Sequence, residues 1–273
     1  MSIPSGRRFW KMSGSGNDFI FFDARLEPAG DLARSDAINT LCARATGVGA
    51  DGVVFLQHDA TEAFGIRYFN RDGSMAELCG NASLCSSRLA VEIGIASPDG
   101  FRFRTDAGVI SARIAGAEPE IDLQEVGDLK AVANIVPGPG ELRIGFADTG
   151  VPHLVVHVEQ LDQFRVEERG KQLRHDPSLP AGANVNFVSS GENGRWRIRT
   201  YERGVERETL ACGTGSVASA VLLEAWGLTG RTLELETLSS KRLTVTLGRQ
   251  GDSILPSLRG EARIVFTGQL AES

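Results

Sequence analysis

The chain has 273 residues, of which 41% are hydrophobic and 23% are charged, and its net charge is -6. This length suits two domains of about 100–150 residues, each large enough to bury a core. The acidic balance argues against a general nucleic-acid binder. No apolar run reaches the roughly 18–20 residues of a membrane span, and the segment 1–12 lacks the apolar core of a signal peptide. We therefore expect a cytoplasmic protein that binds neither nucleic acid nor membrane.

The N-terminal half is predicted to consist of strands around one principal helix. Apolar and alternating runs predict strands at 9–12, 19–22, 53–57, 64–70, 101–105, 109–114 and 120–123. A helix is predicted over 31–45, with Asp31 as its N-cap and Cys42 packed on its apolar face. The principal helix begins after Cys79, and Cys85 lies a turn and two-thirds further on, so we interpret Cys85 as a packing residue.

The C-terminal half repeats this order. Strands are predicted at 142–146, 153–158, 185–188, 196–202 and 262–267. A charged helix is predicted over 161–175, and a second helix starts at Cys212. In that helix Ala218, Val221, Leu222 and Ala225 form a stripe at helical spacing, which predicts one buried face. Strands grouped around single helices, without regular βαβ alternation, predict an α+β fold.

The most informative stretch of the chain occurs twice. Residues 66–81 read IRYFNRDGSMAELCGN and residues 198–214 read IRTYERGVERETLACGT, so that Cys79 matches Cys212. A period near half of the chain length predicts two similar domains, each with a strand, a polar loop and a Cys-Gly helix start.

We place the first domain at 1–125, completed by the C-terminal segment 262–273, and the second at 126–261. The four cysteines are too few and too scattered for a disulfide scaffold. Their spacing also differs from the C-x2-C of zinc sites, so no metal is expected.

A cysteine at a helix start can be an activated thiol. The first backbone N–H groups of a helix have no internal partners and carry the positive end of its dipole. We therefore expect the thiol pKa of Cys212 to be lower than the usual value of about 8.5. Gly213, Thr214 and Gly215 leave room for an anion against the bare backbone. The stretch predicts an activated thiol beside a carboxylate-sized anion site.

Motifs along essentially the whole chain carry a family resemblance, namely GSGNDF, GVGADG, FNRDGS, LCGN, PHLVV, NVNFV, YERG and ETLACGTG. On these motifs the chain resembles the diaminopimelate epimerases, cofactor-independent enzymes of lysine and peptidoglycan precursor synthesis. The resemblance implies two pseudosymmetric domains, each a mostly antiparallel β-barrel-like sheet around a central helix, with the active site in the cleft between them. It also implies a small-molecule substrate, diaminopimelate, no cofactor, and a homodimer.

The resemblance assigns roles to residues at matching positions. Cys79 and Cys212 would be the catalytic acid and base that invert the α-carbon. N–H groups at the two helix starts would stabilise the substrate carboxylate: Gly80, Asn81, Gly213 and Thr214. His153 and Glu202 would tune the thiols and contact ammonium groups. The other implied substrate-binding residues are Asn17, Asn70, Asn184 and Arg203, with Arg203 gripping the distal carboxylate.

Two departures from the family pattern stand out. Val151 replaces an Asn that is common in the family, which puts one substrate hydrogen bond in doubt. The common CGNGxRC appears as CGNASLC, which we expect to alter loop packing only.

Two other functions remain open on the sequence. A racemase of proline, hydroxyproline or histidine could use the same pair of thiols. In a non-enzymatic protein, Cys79 and Cys212 could instead form a dithiol switch. A disulfide requires Cα atoms about 4.4–6.8 Å apart, and two thiols that converge on one substrate carbon could approach that range.

Overall fold

The computed structural model describes residues 6–76, 78–191 and 194–271. The predicted N-terminal segment 1–12 and closing segment 262–273 therefore extend outside the described residues, at 1–5 and 272–273. The chain forms two compact units. The first comprises the described residues up to Ile121 together with those from Gly260 onward, and the second is Asp122–Arg259.

The strands in chain order are β1 (Arg8–Gly14), β2 (Asn17–Asp23), β3 (Gly52–Gln57), β4 (Phe64–Asn70), β5 (Met75–Ala76), β6 (Phe101–Thr105), β7 (Gly108–Ala115), β8 (Glu118–Asp122), β9 (Leu129–Lys130), β10 (Glu141–Asp148), β11 (Pro152–Val158), β12 (Asn184–Ser190), β13 (Trp196–Glu202), β14 (Arg207–Thr209), β15 (Thr232–Glu236), β16 (Arg242–Gln250), β17 (Ser253–Gly260) and β18 (Ala262–Gln269). The α-helices are α1 (Ser35–Cys42), α2 (Gly80–Glu92), α3 (Val166–Arg174) and α4 (Gly213–Ala225).

The first unit is a mixed sheet. Strand β1 pairs antiparallel with β2 and β18, β2 runs parallel to β3, and β3 pairs antiparallel with β4. Strand β4 continues parallel to β6, and β7 and β8 follow in antiparallel order. Ile20 and Phe22 of β2 pack with Ile38 and Leu41 of α1. Successive side chains of a strand point to opposite faces, so Phe19 lies on the other face of β2.

The second unit repeats the order and the directions of the first. Strand β10 pairs antiparallel with β11, which runs parallel to β12, and β12 pairs antiparallel with β13. Strand β13 then runs parallel to β15, which pairs antiparallel with β16. These strands match β1, β2, β3, β4, β6 and β7 in turn. The predicted α+β fold with two repeats is confirmed.

Both principal helices are buried on nearly every side. Helix α4 contacts β10, β11, β12, β15 and β16 of its own unit, and its residues from Val217 to Leu223 are all buried. The prediction of one apolar stripe was wrong at Ala225, which is exposed near the end of the helix. A helix surrounded by its own sheet needs small or apolar residues around its whole circumference, which explains the many serines, alanines and glycines of α4.

Two predicted helices were too long. The segment predicted at 31–45 is a 3-10 helix, Gly30–Ala33, followed by α1. Arg34 separates them because its backbone is extended, at φ -79° and ψ 145°, and it takes the N-cap position that was predicted for Asp31.

The charged helix predicted at 161–175 contains helix only from Val166 to Arg174. Strands β5, β9 and β14 to β17 were not predicted. No helix within the described ranges is both long and apolar enough to cross a lipid bilayer.

Candidate active site

The two principal helices begin at cysteines with nearly the same backbone geometry. Cys79 has φ -135° and ψ 116°, and Cys212 has φ -136° and ψ 113°. Both are extended N-cap residues, and their carbonyl oxygens accept the first helical hydrogen bonds, from Ser83 N at 2.9 Å and Ser216 N at 3.0 Å. The first-turn amides of each helix, which have no backbone acceptor within the helix, therefore lie beside a thiol.

In the first unit, Asn17 and Asn81 meet at the start of α2. The Asn81 side chain is 2% exposed and donates from Nδ2 to Asn17 Oδ1 at 2.6 Å. Asn17 in turn donates from Nδ2 to Asp51 Oδ2 at 3.2 Å. The predicted residues Asn17, Asn81 and Cys79 are therefore linked by hydrogen bonds and by position on one helix turn.

A charged cluster supports Asn17 from behind. Lys11 Nζ bonds Asp18 Oδ2 at 2.7 Å, and Arg44 bridges Asp18 and Asp51 at 2.8 and 2.7 Å. Burial would raise the pKa of Asp18, but hydrogen bonds from Arg44 and Lys11 outweigh it and hold that pKa below its usual value. These ion pairs to Asp18 and Asp51 fix the loop that carries Asn17 from two sides.

Asn70 is held separately from that pair. It is the last residue of β4, and its Nδ2 donates to Ser74 Oγ at 3.1 Å within the FNRDGS turn.

Gly14 fixes the neighbouring loop against α2. A Cβ on Gly14 would lie 2.8 Å from Cys85 Sγ and 3.0 Å from the carbonyl oxygen of Asn81. Cys85 is fully buried, as predicted, and burial raises its pKa well above the usual value.

In the second unit, the thiol of Cys212 is bonded to its own helix. Its Sγ accepts from the backbone N–H of Gly215 at 3.4 Å and lies 3.5 Å from Thr214 Oγ1. The carbonyl oxygen of Thr214 accepts a hydrogen bond from Thr149 Oγ1 at 3.5 Å. An N–H bond to sulfur stabilises the thiolate form more than the thiol, because the acceptor is then charged.

Asn184, Arg203 and His153 lie together at the ends of three strands. His153 and Asn184 are register partners across β11 and β12. Asn184 Oδ1 accepts from the backbone N–H of Arg203 at 2.8 Å, and Arg203 Nη1 donates to the carbonyl oxygen of Ala181 at 3.2 Å. Glu202, the last residue of β13, is half-buried next to Arg203. The guanidinium is thus held in position by the chain around it.

His153 is fully buried and part of a polar network. Asn186 Nδ2 lies 3.0 Å from His153 Nδ1 and 3.0 Å from the carbonyl oxygen of Leu154. Thr200 Oγ1 donates to Asn186 Oδ1 at 2.9 Å. Burial, and to a smaller extent the nearby charge of Arg203, lowers the pKa of His153 to about 3. The ring is therefore neutral at physiological pH.

The structure thus forms one cluster of predicted residues in each unit. The first contains Asn17, Cys79, Gly80 and Asn81, with Asn70 at the end of a neighbouring strand. The second contains His153, Asn184, Glu202, Arg203, Cys212, Gly213 and Thr214. Sequence reasoning missed the supporting residues Asp51, Asn186 and Thr200. Asp51 lies inside the GVGADG motif, and Asn186 shares a strand face with Asn184 in NVNFV, so both motifs carried a usable signal.

The family model described as "Diaminopimelate epimerase" matches the chain twice, at residues 9–129 and 145–265. The chain belongs to the diaminopimelate epimerase family. Each match covers one of the two repeats, so the internal duplication is a property of the family's own pattern. The resemblance drawn from the sequence motifs is confirmed, and the protein is assigned to the isomerases that the family contains.

Similar full-length relatives carry the same name. The diaminopimelate epimerase of Gemmatimonas aurantiaca is 47% identical, over 96% of this chain and 99% of the relative. The diaminopimelate epimerase of Aquifex aeolicus is 38% identical, over 97% of this chain and 98% of the relative.

Among solved structures, a Bacillus anthracis phenazine biosynthesis protein of the PhzF family has a TM-score of 0.77 at 16% identity, covering 98% of this chain and 99% of that one. A hydroxyproline epimerase from Agrobacterium vitis has a TM-score of 0.72 at 18% identity, covering 99% of this chain and 94% of that one. At these identities the likeness concerns the fold alone.

Proposed function

We propose that this member of the diaminopimelate epimerase family interconverts LL- and meso-2,6-diaminopimelate, with Cys79 and Cys212 as its acid-base pair and no cofactor. One observation carries the proposal: in each unit a cysteine with the same extended backbone begins a buried helix. A duplicated thiol at a duplicated anion site is what a two-base inversion requires.

In the reaction, the two thiols act on opposite faces of one α-carbon. A thiolate removes the α-proton from one face, and the C–H bond on that face breaks. The other cysteine gives its S–H proton to the opposite face, where the new C–H bond forms. The first cysteine ends as a thiol and the second as a thiolate, so the reverse reaction begins from that state and the two form a coupled pair.

The negative charge that develops at the α-carbon spreads onto the substrate carboxylate. Backbone N–H groups of Gly80, Asn81, Gly213 and Thr214 bind that carboxylate, and the positive ends of α2 and α4 favour it. Each such donor matters because it is already oriented before the charge forms. These helix starts take over the stabilisation that an electron-withdrawing cofactor would supply.

The remaining residues select the substrate. Arg203 binds the distal carboxylate, because Asn184 holds its backbone, Ala181 holds its guanidinium, and the guanidinium can form a fork of two hydrogen bonds. Asn17, Asn70, Asn184 and Glu202 bind the polar groups of the substrate. Glu202 and His153 also adjust the thiols.

The test is turnover by the purified protein under reducing conditions. LL-diaminopimelate, proline, 4-hydroxyproline and histidine are incubated separately and the products are resolved by chiral chromatography. We expect conversion of LL-diaminopimelate to a mixture containing the meso form, and none of the other three. The double variant Cys79→Ala/Cys212→Ala, prepared in parallel, controls for a contaminating activity. Turnover of proline, hydroxyproline or histidine alone would overturn the assignment.

We also propose that the enzyme works in the cytoplasm, as expected from the sequence, and that it is a homodimer, as the family resemblance implies. Light scattering coupled to size-exclusion chromatography should give the mass of two chains. A monomer that retains full epimerase activity would contradict the dimer.

A further inference from the structure

Asn186 is a fully buried amide in the middle of β12 for which the proposed reaction has no role. Its side chain is 0% exposed. It bonds His153 and Leu154 through its nitrogen and Thr200 through its oxygen. A buried amide whose hydrogen-bonding groups are satisfied by the two flanking strands is costly to misplace, so its orientation is strongly determined.

The partners fix which end of the amide faces His153. The carbonyl oxygen of Leu154 can only accept a hydrogen bond, so the Asn186 atom that lies 3.0 Å from it must be the nitrogen. The same nitrogen lies 3.0 Å from His153 Nδ1. At the other end, the Thr200 hydroxyl donates to the amide oxygen. A flipped amide would set two acceptors against each other at Leu154.

This orientation determines the protonation of the imidazole. Asn186 donates one N–H to Leu154 and the other to His153, so Nδ1 of His153 must be the unprotonated, accepting nitrogen. The neutral ring then carries its hydrogen on Nε2. Within the part of the chain that the structure describes, Nε2 is buried and has no hydrogen-bond partner. That N–H is therefore available to a bound molecule or to a thiolate.

We propose that Asn186 sets the tautomer of His153, so that His153 acts in the site as a neutral Nε2–H hydrogen-bond donor. The tautomer stands on geometry alone, whereas its use in catalysis rests on the proposed function. A donor at Nε2 suits a carboxylate or a thiolate. It cannot accept a hydrogen bond from a substrate ammonium group, so of the two roles that the family resemblance allows for His153, thiol tuning is the one that this tautomer fits.

The position of Asn186 also ties this tautomer to the start of α4. A Cβ on Gly215 would lie 2.2 Å from Asn186 Oδ1 and 3.2 Å from Cys212 Sγ. The amide therefore packs against the same glycine whose N–H bonds the thiol. Asn186 is a positioning residue: it orders both the imidazole and the turn that carries Cys212.

The direct test is the tautomer of His153 in the unmodified protein. Protein labelled with ¹⁵N-histidine is studied by two-bond ¹H–¹⁵N correlation, which distinguishes the nitrogens of each of the four histidines. The His153 signals are assigned by their loss in His153→Gln. We expect a protonated Nε2 and an unprotonated Nδ1 at neutral pH. A protonated Nδ1, or a doubly protonated ring, would overturn the proposal without any variant at Asn186 having to fold.

Two variants test whether Asn186 is the cause. Asn186→Asp replaces the donor with an acceptor of the same shape, so His153 should gain a proton on Nδ1. Thr200→Val breaks the same network at its far end but leaves the amide nitrogen fixed by Leu154, so the tautomer should not change. An unchanged tautomer in Asn186→Asp, or the same change in both variants, would contradict the assignment to Asn186.

Kinetics separate this inference from the proposed function. Asn186→Asp should lower kcat for diaminopimelate epimerisation about ten- to hundredfold, the loss expected for one misdirected hydrogen bond to a charged group. KM should change much less. If the tautomer switches and kcat does not fall, the role of His153 in the reaction is wrong. If the unmodified protein has no epimerase activity, the proposed function fails, and the tautomer measurement remains valid.

Discussion

The two cysteine-bearing helices begin alike, but the strands beneath them differ. The β2–β3 and β11–β12 registers, together with β3–β4 and β12–β13, identify the matching positions. In the first unit these are Phe19, Val54, Tyr68 and Ala82. In the second they are His153, Asn186, Thr200 and Gly215. The duplication preserved the helix start, whereas the side chains at these strand positions are apolar or aromatic in the first unit and polar in the second.

In each unit a glycine allows one of these side chains to pack closely, but the glycine lies in a strand in the first unit and in the helix in the second. In the first unit a Cβ on Gly52 of β3 would lie 2.5 Å from the Tyr68 ring. In the second a Cβ on Gly215 of α4 would lie 2.2 Å from Asn186 Oδ1. The feature that the two units share is therefore the backbone of the cysteine and of the helix start that forms the anion site. The polar residues His153, Asn186 and Thr200 occur only in the unit that carries Cys212.

The largest expected difference between the units is in acid sensitivity, because only the second has a buried histidine at this position. The unfolded chain protonates His153 near pH 6.5, whereas the folded ring stays neutral down to about pH 3. The contribution of the neutral His153 to the free energy of unfolding is complete above pH 6.5. This contribution is lost as the pH falls from 6.5 toward 3, by up to about 1.4 kcal/mol per pH unit.

Urea unfolding of the unmodified protein and of His153→Gln, between about pH 5 and pH 7, measures this contribution. The slope of the unfolding free energy against pH should be smaller in the variant, whatever its absolute stability. Phe19→Leu, at the matching position of the first unit, should keep the slope of the unmodified protein. Equal slopes for His153→Gln and the unmodified protein would show that His153 is not held neutral by folding.

The next largest expected effect is on stability, at Gly215 of α4 and at the matching residue Ala82 of α2. Gly215→Ala places a methyl group against Asn186 and should lower the free energy of unfolding by about 1–3 kcal/mol, with a fall in kcat because the Cys212 turn moves. Ala82→Gly, the reciprocal change in α2, should cost only about 0.5–1 kcal/mol. Chemical denaturation and steady-state kinetics measure both. Equal losses of unfolding free energy in the two variants would mean that the Asn186 amide does not approach α4 as closely as the structure shows.

The smallest effect concerns the substrate. Arg203→Lys keeps the charge but loses the fork, so KM for diaminopimelate should rise about tenfold with little change in kcat. Arg71→Lys is the matched control, since Arg71 aligns with Arg203 in the repeat but has no role in the proposal. An unchanged KM in Arg203→Lys, or equal increases in both variants, would remove the argument for a distal carboxylate.

The duplication made much of the fold predictable. Two copies of one pattern predicted two similar units, and the Cys-Gly starts predicted α2 and α4. What failed depended on single backbone positions. An extended Arg34 divided the predicted helix 31–45. Strand β17, which was also not predicted, contains Pro256, and a proline disfavours a strand assignment from sequence.

The candidate site was predictable where it lay in motifs, and not where it depended on pairing between strands. Cys79, Cys212 and the asparagines stand in short motifs of the chain. The support behind them is nonlocal: Asn186 meets His153 and Thr200 only through the registers of β11, β12 and β13. No periodicity in the sequence specifies those registers. The polarity of the second unit could therefore be recognised only once the strands were paired.

The most direct test of the account is hydrogen exchange at the α-carbon in single cysteine variants. Cys79→Ala and Cys212→Ala each remove one proton carrier and leave the other thiol and both helix starts. Epimerisation should fall by at least about 10²–10⁴, the contribution of one general acid or base. The remaining thiolate can still reach the α-hydrogen that one isomer presents to it.

Each variant is incubated in D₂O with LL- or meso-diaminopimelate, and deuterium at the α-carbon is followed by mass spectrometry. We predict that exchange survives for one isomer in each variant and that the two variants prefer opposite isomers. A single-base enzyme would behave differently: one variant would lose exchange with both isomers and the other would lose little. Near-normal epimerisation by either variant would contradict the two-thiol mechanism.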